Sequence, residues 1–127
     1  ALRDYNRSIA EWSEAWSEGN LRQLGVRYSV GASLVLPTGE VVRGRTAVER
    51  TLTPLARQGT QLRLAISDFV AAGELMSAVG TFVYEAPDAE PVAGTYVLVV
   101  QKESGRLRIR SQTFLPGLPF PEAVSVD

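Results

Sequence analysis

Residues 29–49 read SVGASLVLPTGEVVRGRTAVE, a stretch that joins a short apolar run, a turn, a second short run and the start of a helix. The runs 33–36 and 40–43 flank a Pro-Thr-Gly turn, which is typical of two short, tightly connected strands. The only acid before the helix is Glu40, in the turn. The apolar part of the stretch therefore carries no carboxylate, and the reason for this bears on function.

The next element, residues 46–58, has the apolar spacing of a helix that Gly59 ends. Pro54 lies inside the pattern and removes one backbone hydrogen bond. We therefore expect this helix to be kinked or split at the proline.

The N-terminal residues 2–18 form a second amphipathic pattern. Apolar side chains recur there at spacings of three and four, which predicts one helix face packed on a core. These side chains are Leu2, Tyr5, Ile9, Trp12 and Trp16. Gly19 and Asn20 end the helix, and the spacing of Leu24 and Tyr28 indicates a short second helix after them.

Beyond residue 60 the pattern changes to long strands with short connections, which predicts an antiparallel meander. The four strands are residues 61–71, 75–85, 92–103 and 106–115. Helices followed by such a sheet make an α+β domain with helices on one sheet face. The run 92–103 carries apolar side chains on both sides. In a sheet with one solvent-exposed face, apolar and polar side chains alternate along each strand. We expect a second copy of the chain to cover the outer face.

The 127 residues fit one domain, with a core over 5–115 and a Pro-rich tail, 116–127, on the surface. The net charge of −1 favours neither nucleic acid nor an anionic membrane as a partner. No apolar run approaches the ~18 residues that span a bilayer. The compartment stays open between the cytoplasm and export with a removed signal peptide.

The chain contains no Cys and no His. Thiol nucleophiles, disulfides, cysteine-based zinc sites and every catalytic arrangement that needs histidine are therefore excluded. We expect no cofactor and no metal site.

Three segments taken together resemble the nuclear transport factor 2-like superfamily, also called cystatin-like or SnoaL-like. They are WSEGNLRQLGVRYSVGASLVLPTGEVVRGRTAVE, AVGTFVYE and AGTYVLVVQKESGRLRIRSQTF. The resemblance covers about residues 5–115. It implies a curved sheet of four long strands plus short strands, wrapped by about three helices into a cone with an apolar pocket at its mouth, and frequent dimers. The superfamily includes isomerases, cyclases, hydrolases, dehydratases and binding modules, so the resemblance implies a fold and no single activity.

The resemblance also explains the missing acid. In ketosteroid isomerase the catalytic base is an Asp just before the Pro of the Pro-x-Gly turn, and the matching residue here is Leu36. The oxyanion-donating Tyr of helix one falls near Trp12, whose indole donates a hydrogen bond but shuttles no proton. The two acids that the family places within residues 29–32 are absent as well. This chain therefore lacks that isomerase chemistry.

Asp68 is the candidate catalytic acid. By alternation it shares a strand face with Leu62, Leu64 and Ile66, which we assign to the pocket. A carboxyl in an apolar cavity has a raised pKa and suits acid–base work. The alternative is that Asp68 lies at a solvated rim where the strand ends.

The remaining candidates are ligand-binding residues. Aromatic residues at helical spacing are more often core, but here core and pocket wall adjoin. The candidates are Trp12, Trp16, Tyr28, Leu36, Tyr84, Tyr96, Ser111 and Thr113. We assign the last two to the inner face of the last strand, beside Ile109. Arg106, Arg108, Arg110 and Gln112 alternate on its outer face, the arginines as a solvated row or a dimer rim.

The sequence thus predicts binding of a small apolar or amphipathic molecule, with cofactor-free acid–base catalysis as an extension. A non-catalytic dimeric interaction or assembly module is the alternative. An open pocket that contains an ionisable group favours catalysis, and one without favours binding.

Overall fold

The computed structural model of the chain describes residues 1–117 and, at Leu21, the backbone alone. The predicted surface tail therefore lies, from residue 118 onward, outside the described residues. Three helices pack on one side of a six-stranded sheet, so the predicted α+β class is confirmed. The helices are α1 (Leu2–Glu18), α2 (Leu21–Gly25) and α3 (Arg45–Arg57). The strands are β1 (Tyr28–Val35), β2 (Val41–Arg43), β3 (Gln61–Ala72), β4 (Leu75–Glu85), β5 (Val92–Glu103) and β6 (Arg106–Pro116).

The strand order is β2-β1-β6-β5-β4-β3, with the long strands as an antiparallel meander. β1 runs parallel to β6, with Leu34 opposite Gln112, so the sheet is mixed rather than wholly antiparallel. β6 is the last strand of the meander, and it pairs with the free edge of β1, the first strand, in the same direction. This pairing places the β1–β2 turn beside the C-terminal end of β6.

The helices correct the prediction for Tyr28 and, of the two alternatives predicted at Pro54, exclude the split. Tyr28 starts β1 instead of ending a second helix, because α2 stops at Gly25. α3 is one helix from Arg45 to Arg57 and is not split at Pro54. Proline removes a single backbone hydrogen bond there, close to the C-terminal end of the helix, so the remaining turns still form.

The core lies between the helices and one sheet face. Side chains alternate along β5 as predicted, with Tyr96, Leu98 and Val100 almost fully buried and Val97 and Val99 partly exposed on the other side. We call the helix-covered side the inner face and the opposite side the outer face.

Two β-bulges shift this alternation. In β3 one extra residue lies between Ile66 and Asp68, whose partners on β4 are adjacent. In β6 one extra residue lies between Ile109 and Ser111, whose partners on β5 are adjacent. Each bulge moves every later residue of its strand to the opposite face. The strand opposite the first bulge carries Gly80, where a Cβ would lie 2.0 Å from the carbonyl oxygen of Ala65, so only glycine fits.

Candidate functional site

An apolar pocket of about 270 Å³ opens where α1 and α3 meet the β1–β2 turn and the ends of the long strands. Its wall is almost entirely aliphatic and aromatic. The lining residues are Trp16, Leu36, Pro37, Thr38, Leu52, Leu55, Leu62, Phe82, Tyr84, Val92 and Phe114. We refer to this set as the apolar pocket.

Local backbone geometry places Leu36 in the pocket wall. The Leu36 N–H donates to the carbonyl of Glu40 at 2.9 Å, and the Gly39 N–H donates back to the Leu36 carbonyl at 2.8 Å. Gly39 adopts φ 92°, a conformation that glycine accepts without steric cost. The turn thus closes tightly and holds the Leu36 side chain against the core.

The indole of Trp16 presents its ring to the pocket and directs its polar atom elsewhere. Nε1 donates to the backbone oxygen of Thr60 at 3.3 Å and to its hydroxyl at 3.2 Å. The described lining residues include no carboxylate, ammonium or guanidinium, and the hydroxyls of Thr38 and Tyr84 contribute almost no polar surface to the pocket. The pocket therefore suits an apolar guest and offers no charged acid or base.

A buried polar chain crosses the core beneath the sheet centre. Trp12 Nε1 donates to the Tyr28 hydroxyl at 3.0 Å, and that hydroxyl donates to Gln112 Oε1 at 2.5 Å. All three side chains are about 1% exposed. Burial raises the pKa of Tyr28, against the opposing effect of its two hydrogen bonds, so the phenol stays neutral. Trp12 and Tyr28, both candidate ligand residues, thus belong to a sealed polar chain and do not line the pocket.

Gln112 is the polar residue that the sequence pattern misplaced. Alternation with the arginines of β6 assigned it to the outer face, yet the bulge before Ser111 turns it inward, opposite Leu34 and Leu98. Nothing in the local sequence of β6 other than its mixed pattern indicates the bulge.

Tyr96 also lies in the core, 2% exposed, near the N-terminal part of α1. Its hydroxyl faces that of Tyr5, and burial raises the pKa of both phenols. The Tyr5 ring packs on Phe69 with centroids 5.3 Å apart. The Tyr5 hydroxyl is buried and makes no well-aligned hydrogen bond within residues 1–117. Tyr96 is therefore a core residue of this second aromatic cluster.

Three predicted site residues lie on the outer face. Asp68 pairs with Val79, and Ser111 and Thr113 pair with Val99 and Val97, all outer-face residues. The predicted inward placement of Asp68, Ser111 and Thr113 is wrong, because a bulge precedes each of them. Of the candidates, the structure brings Trp16, Leu36 and Tyr84 together in one pocket.

Within the part of the chain that the structure describes, no group of three or more acidic residues is placed to hold a metal ion. Over the same residues, no helix has both the length and the apolar character needed to cross a bilayer.

Known proteins of the same shape are numerous but distant. An uncharacterised protein with a cystatin-like fold from Caulobacter vibrioides superimposes with a TM-score of 0.79 at 16% identity, over 93% of this chain and 90% of that one. An NTF-2 like protein of unknown function from Shewanella oneidensis gives 0.76 at 17% identity, over 88% and 96%. A protein of the NTF2-like family from Streptomyces avermitilis, provisionally named a dehydratase, gives 0.75 at 14% identity, over 92% and 96%.

At these identities the structural matches show the fold alone, and no curated protein matches the sequence. The sequence itself matches the family described as SnoaL-like domain over residues 9–109, which is most of the chain. The resemblance inferred from the turn and strand motifs is thereby confirmed. The chain belongs to the SnoaL-like domain family within the NTF2-like, cystatin-like fold group.

Proposed function

We propose that the protein binds a small, neutral, apolar molecule in the apolar pocket and performs no acid–base chemistry there. The fold group suggests ligand binding or isomerase- or dehydratase-type activity. The observation that carries our choice is the pocket wall, in which Leu36 stands where the isomerase resemblance places a carboxylate. A proton-transfer enzyme needs a titratable group within hydrogen-bond reach of its substrate.

The pocket volume limits the guest. A dry apolar cavity of roughly 150 Å³ is enough to hold benzene. At about 270 Å³, this pocket has room for a compound of one or two rings. Almost no polar surface faces the pocket, so a polar atom of the guest has to stay in water at the open mouth.

The test uses 1-aminonaphthalene, a two-ring probe that is neutral at pH 7 and whose fluorescence shifts to shorter wavelength in apolar surroundings. We expect saturable binding, and a Tm that rises with probe concentration because the probe binds the folded state. Val92→Trp places an indole in the pocket mouth and should weaken binding at least about tenfold, which is roughly the effect of losing 1.4 kcal/mol of contact. Val41→Trp adds the same ring at an exposed β2 position away from the pocket and serves as control.

Equal affinity of the Val92→Trp and Val41→Trp proteins would place the probe elsewhere and remove the support for this pocket. Turnover of any neutral guest that persists in Asp68→Asn and is lost in Tyr84→Phe would contradict the non-catalytic part of the proposal.

A second proposal concerns the outer face, which we infer to be the interface of a homodimer. Uncharged side chains occupy its centre, where Val79 lies beside Val97 and Ser77 beside Val99. Val70 and Leu75 extend it toward the β3–β4 turn, 58% and 47% exposed. Asp68 borders this patch beside Val79, so the uncharged part is confined to β4 and β5, where small side chains can complement a second copy across a two-fold axis.

Sedimentation velocity tests the dimer. We expect the wild-type chain to sediment as a dimer and Val97→Lys as a monomer, because the substitution sets two ammonium groups against each other near the axis. Leu2→Lys introduces the same charge on α1, at a residue 45% exposed, and should leave the dimer intact. A monomeric wild-type protein at all concentrations would refute the interface.

A further inference from the structure

A second and larger cavity of about 470 Å³ lies at the opposite end of the sheet from the apolar pocket. This cavity is bounded by α1, by the end of α2 and by the hairpin that joins β5 to β6. The apolar pocket lies at the other end of β5, near the connection between β4 and β5. Its described lining carries five cationic side chains: Arg7, Arg27, Lys102, Arg106 and Arg108. Two carboxylates oppose them, Asp4 and Glu11. We call this cavity the basic cleft.

The positive charge of the basic cleft is only partly neutralised. Arg27 Nη1 pairs with Glu11 at 2.6 Å. The nearest carboxylate to Arg108 is that of Glu103, 3.7 Å from Nε, and its other oxygen already accepts from Ser29 at 2.7 Å. Within residues 1–117 the other three cationic side chains form no ion pair. A chain with a net charge of −1 thus concentrates unpaired cations in one concavity.

Two arginines of the cleft are buried at Nε and remain partly exposed elsewhere along the side chain. The Nε atoms of Arg27 and Arg108 are both shielded from solvent, and neither has a hydrogen-bond acceptor in the described structure. A guanidinium remains charged at any physiological pH, so neither group relieves the loss by giving up its proton. About a quarter of each side chain stays exposed, 24% for Arg27 and 25% for Arg108, and an oxygen-rich anion offers acceptors to a partly exposed guanidinium in the fork geometry that arginine prefers.

We propose that the basic cleft binds a small molecule through its carboxylate or phosphate group, at a site separate from the apolar pocket. Arg27 and Arg108 provide the fork contacts, and Arg7 and Lys102 add charge at the exposed side. Met76 and Leu107 supply an apolar part of the wall, so the anionic group is carried on a compact, partly apolar body. The concave shape and the volume suit a small molecule rather than a polymer.

Calorimetric titration of the full chain with inorganic phosphate and with citrate, at constant ionic strength, tests the proposal. We expect one saturable site for at least one of them, with phosphate preference indicating a phosphorylated ligand and citrate preference a carboxylated one. Arg108→Gln should weaken binding at least tenfold, with a folded circular dichroism spectrum. Arg50→Gln makes the same charge change at an exposed position on α3 and should alter affinity less than twofold.

If Arg108→Gln fails to fold, the double variant Arg7→Gln with Lys102→Gln replaces it in the test. Both side chains are exposed, and neither makes an ion pair or a side-chain hydrogen bond in the described structure, so the folded state should tolerate their loss. Together they should weaken binding about tenfold relative to a double variant at Arg50 and Arg57. Absence of saturable binding at millimolar phosphate and citrate overturns the proposal, as does an equal loss of affinity in the α3 controls.

Discussion

Tyr28→Phe is expected to lower the free energy of unfolding by about 2–4 kcal/mol, although it removes a single oxygen atom. The hydroxyl both accepts from Trp12 Nε1 and donates to Gln112 Oε1 in a fully buried environment. Its loss leaves one donor and one acceptor buried and unpaired, and each such group costs roughly 1–3 kcal/mol. Equilibrium urea unfolding measures the change. Tyr84→Phe, which removes a hydroxyl with no partner in the described structure, should stay within about 0.5 kcal/mol of wild type.

A double-mutant cycle shows whether the buried polar chain acts as a unit. Gln112→Leu removes the acceptor of Tyr28, and the combination with Tyr28→Phe leaves only Trp12 Nε1 unpaired. We therefore expect the double variant to be less destabilised than the sum of the single variants, by a coupling energy of about 1–3 kcal/mol. Additive effects would show that the three side chains stabilise the core independently.

The polar chain also illustrates which parts of the fold follow from sequence. Trp12 and Trp16 lie on the predicted inner stripe of α1, because a period of 3.6 residues defines one helix face without reference to the rest of the chain. The alternation of β5 likewise places Tyr96 inward. These predictions concern positions whose orientation depends only on the residues around them.

The errors in the strand orientations share one physical cause. Strand alternation has a period of two, so one inserted residue inverts every orientation beyond it. The bulge in β3 turns Asp68 outward, and the bulge in β6 turns Ser111 and Thr113 outward and Gln112 inward. Bulges depend on the neighbouring strand, as Gly80 shows by accommodating the Ala65 carbonyl across β3 and β4. The available signal for the bulge in β3 was Gly80, a glycine within a strand. This glycine lies on β4, the partner strand, rather than on β3 itself.

The parallel pairing of β1 and β6 was also beyond reach of local patterns. It joins Leu34 to Gln112, far apart along the chain, and it follows from how the meander closes against the first strand. The position of Leu36 followed from the resemblance, which aligns it with the residue before the Pro of the Pro-x-Gly turn, and the hydrogen bonds of this turn fix its geometry locally. A site at a turn is therefore read from sequence more readily than one in the middle of a sheet.

Leu36→Asp should abolish most of the binding of a neutral apolar probe and make both affinity and stability depend on pH. The new carboxylate would face walls that are almost entirely apolar. Sealing it under a neutral guest removes its water, at a cost of about 2–3 kcal/mol, so we expect roughly a hundredfold loss of affinity at neutral pH. Titration with 1-aminonaphthalene at pH 7 measures the loss.

The pH dependence separates charge from mere polarity. Desolvation raises the pKa of a carboxyl in such a pocket above its ordinary ~3.9, so the folded protein holds the proton at a pH where the unfolded chain has released it. The stability of Leu36→Asp must then fall as the pH rises from ~3.9 through the folded-state pKa. Leu36→Asn, equal in shape but uncharged, should show neither trend, and Val41→Asp, exposed on β2 outside the pocket, should bind the probe like wild type. If Leu36→Asp binds the probe as well as Leu36→Asn at neutral pH, the carboxylate keeps its water in the complex, and the wall at Leu36 is not the dry surface on which the proposed function depends.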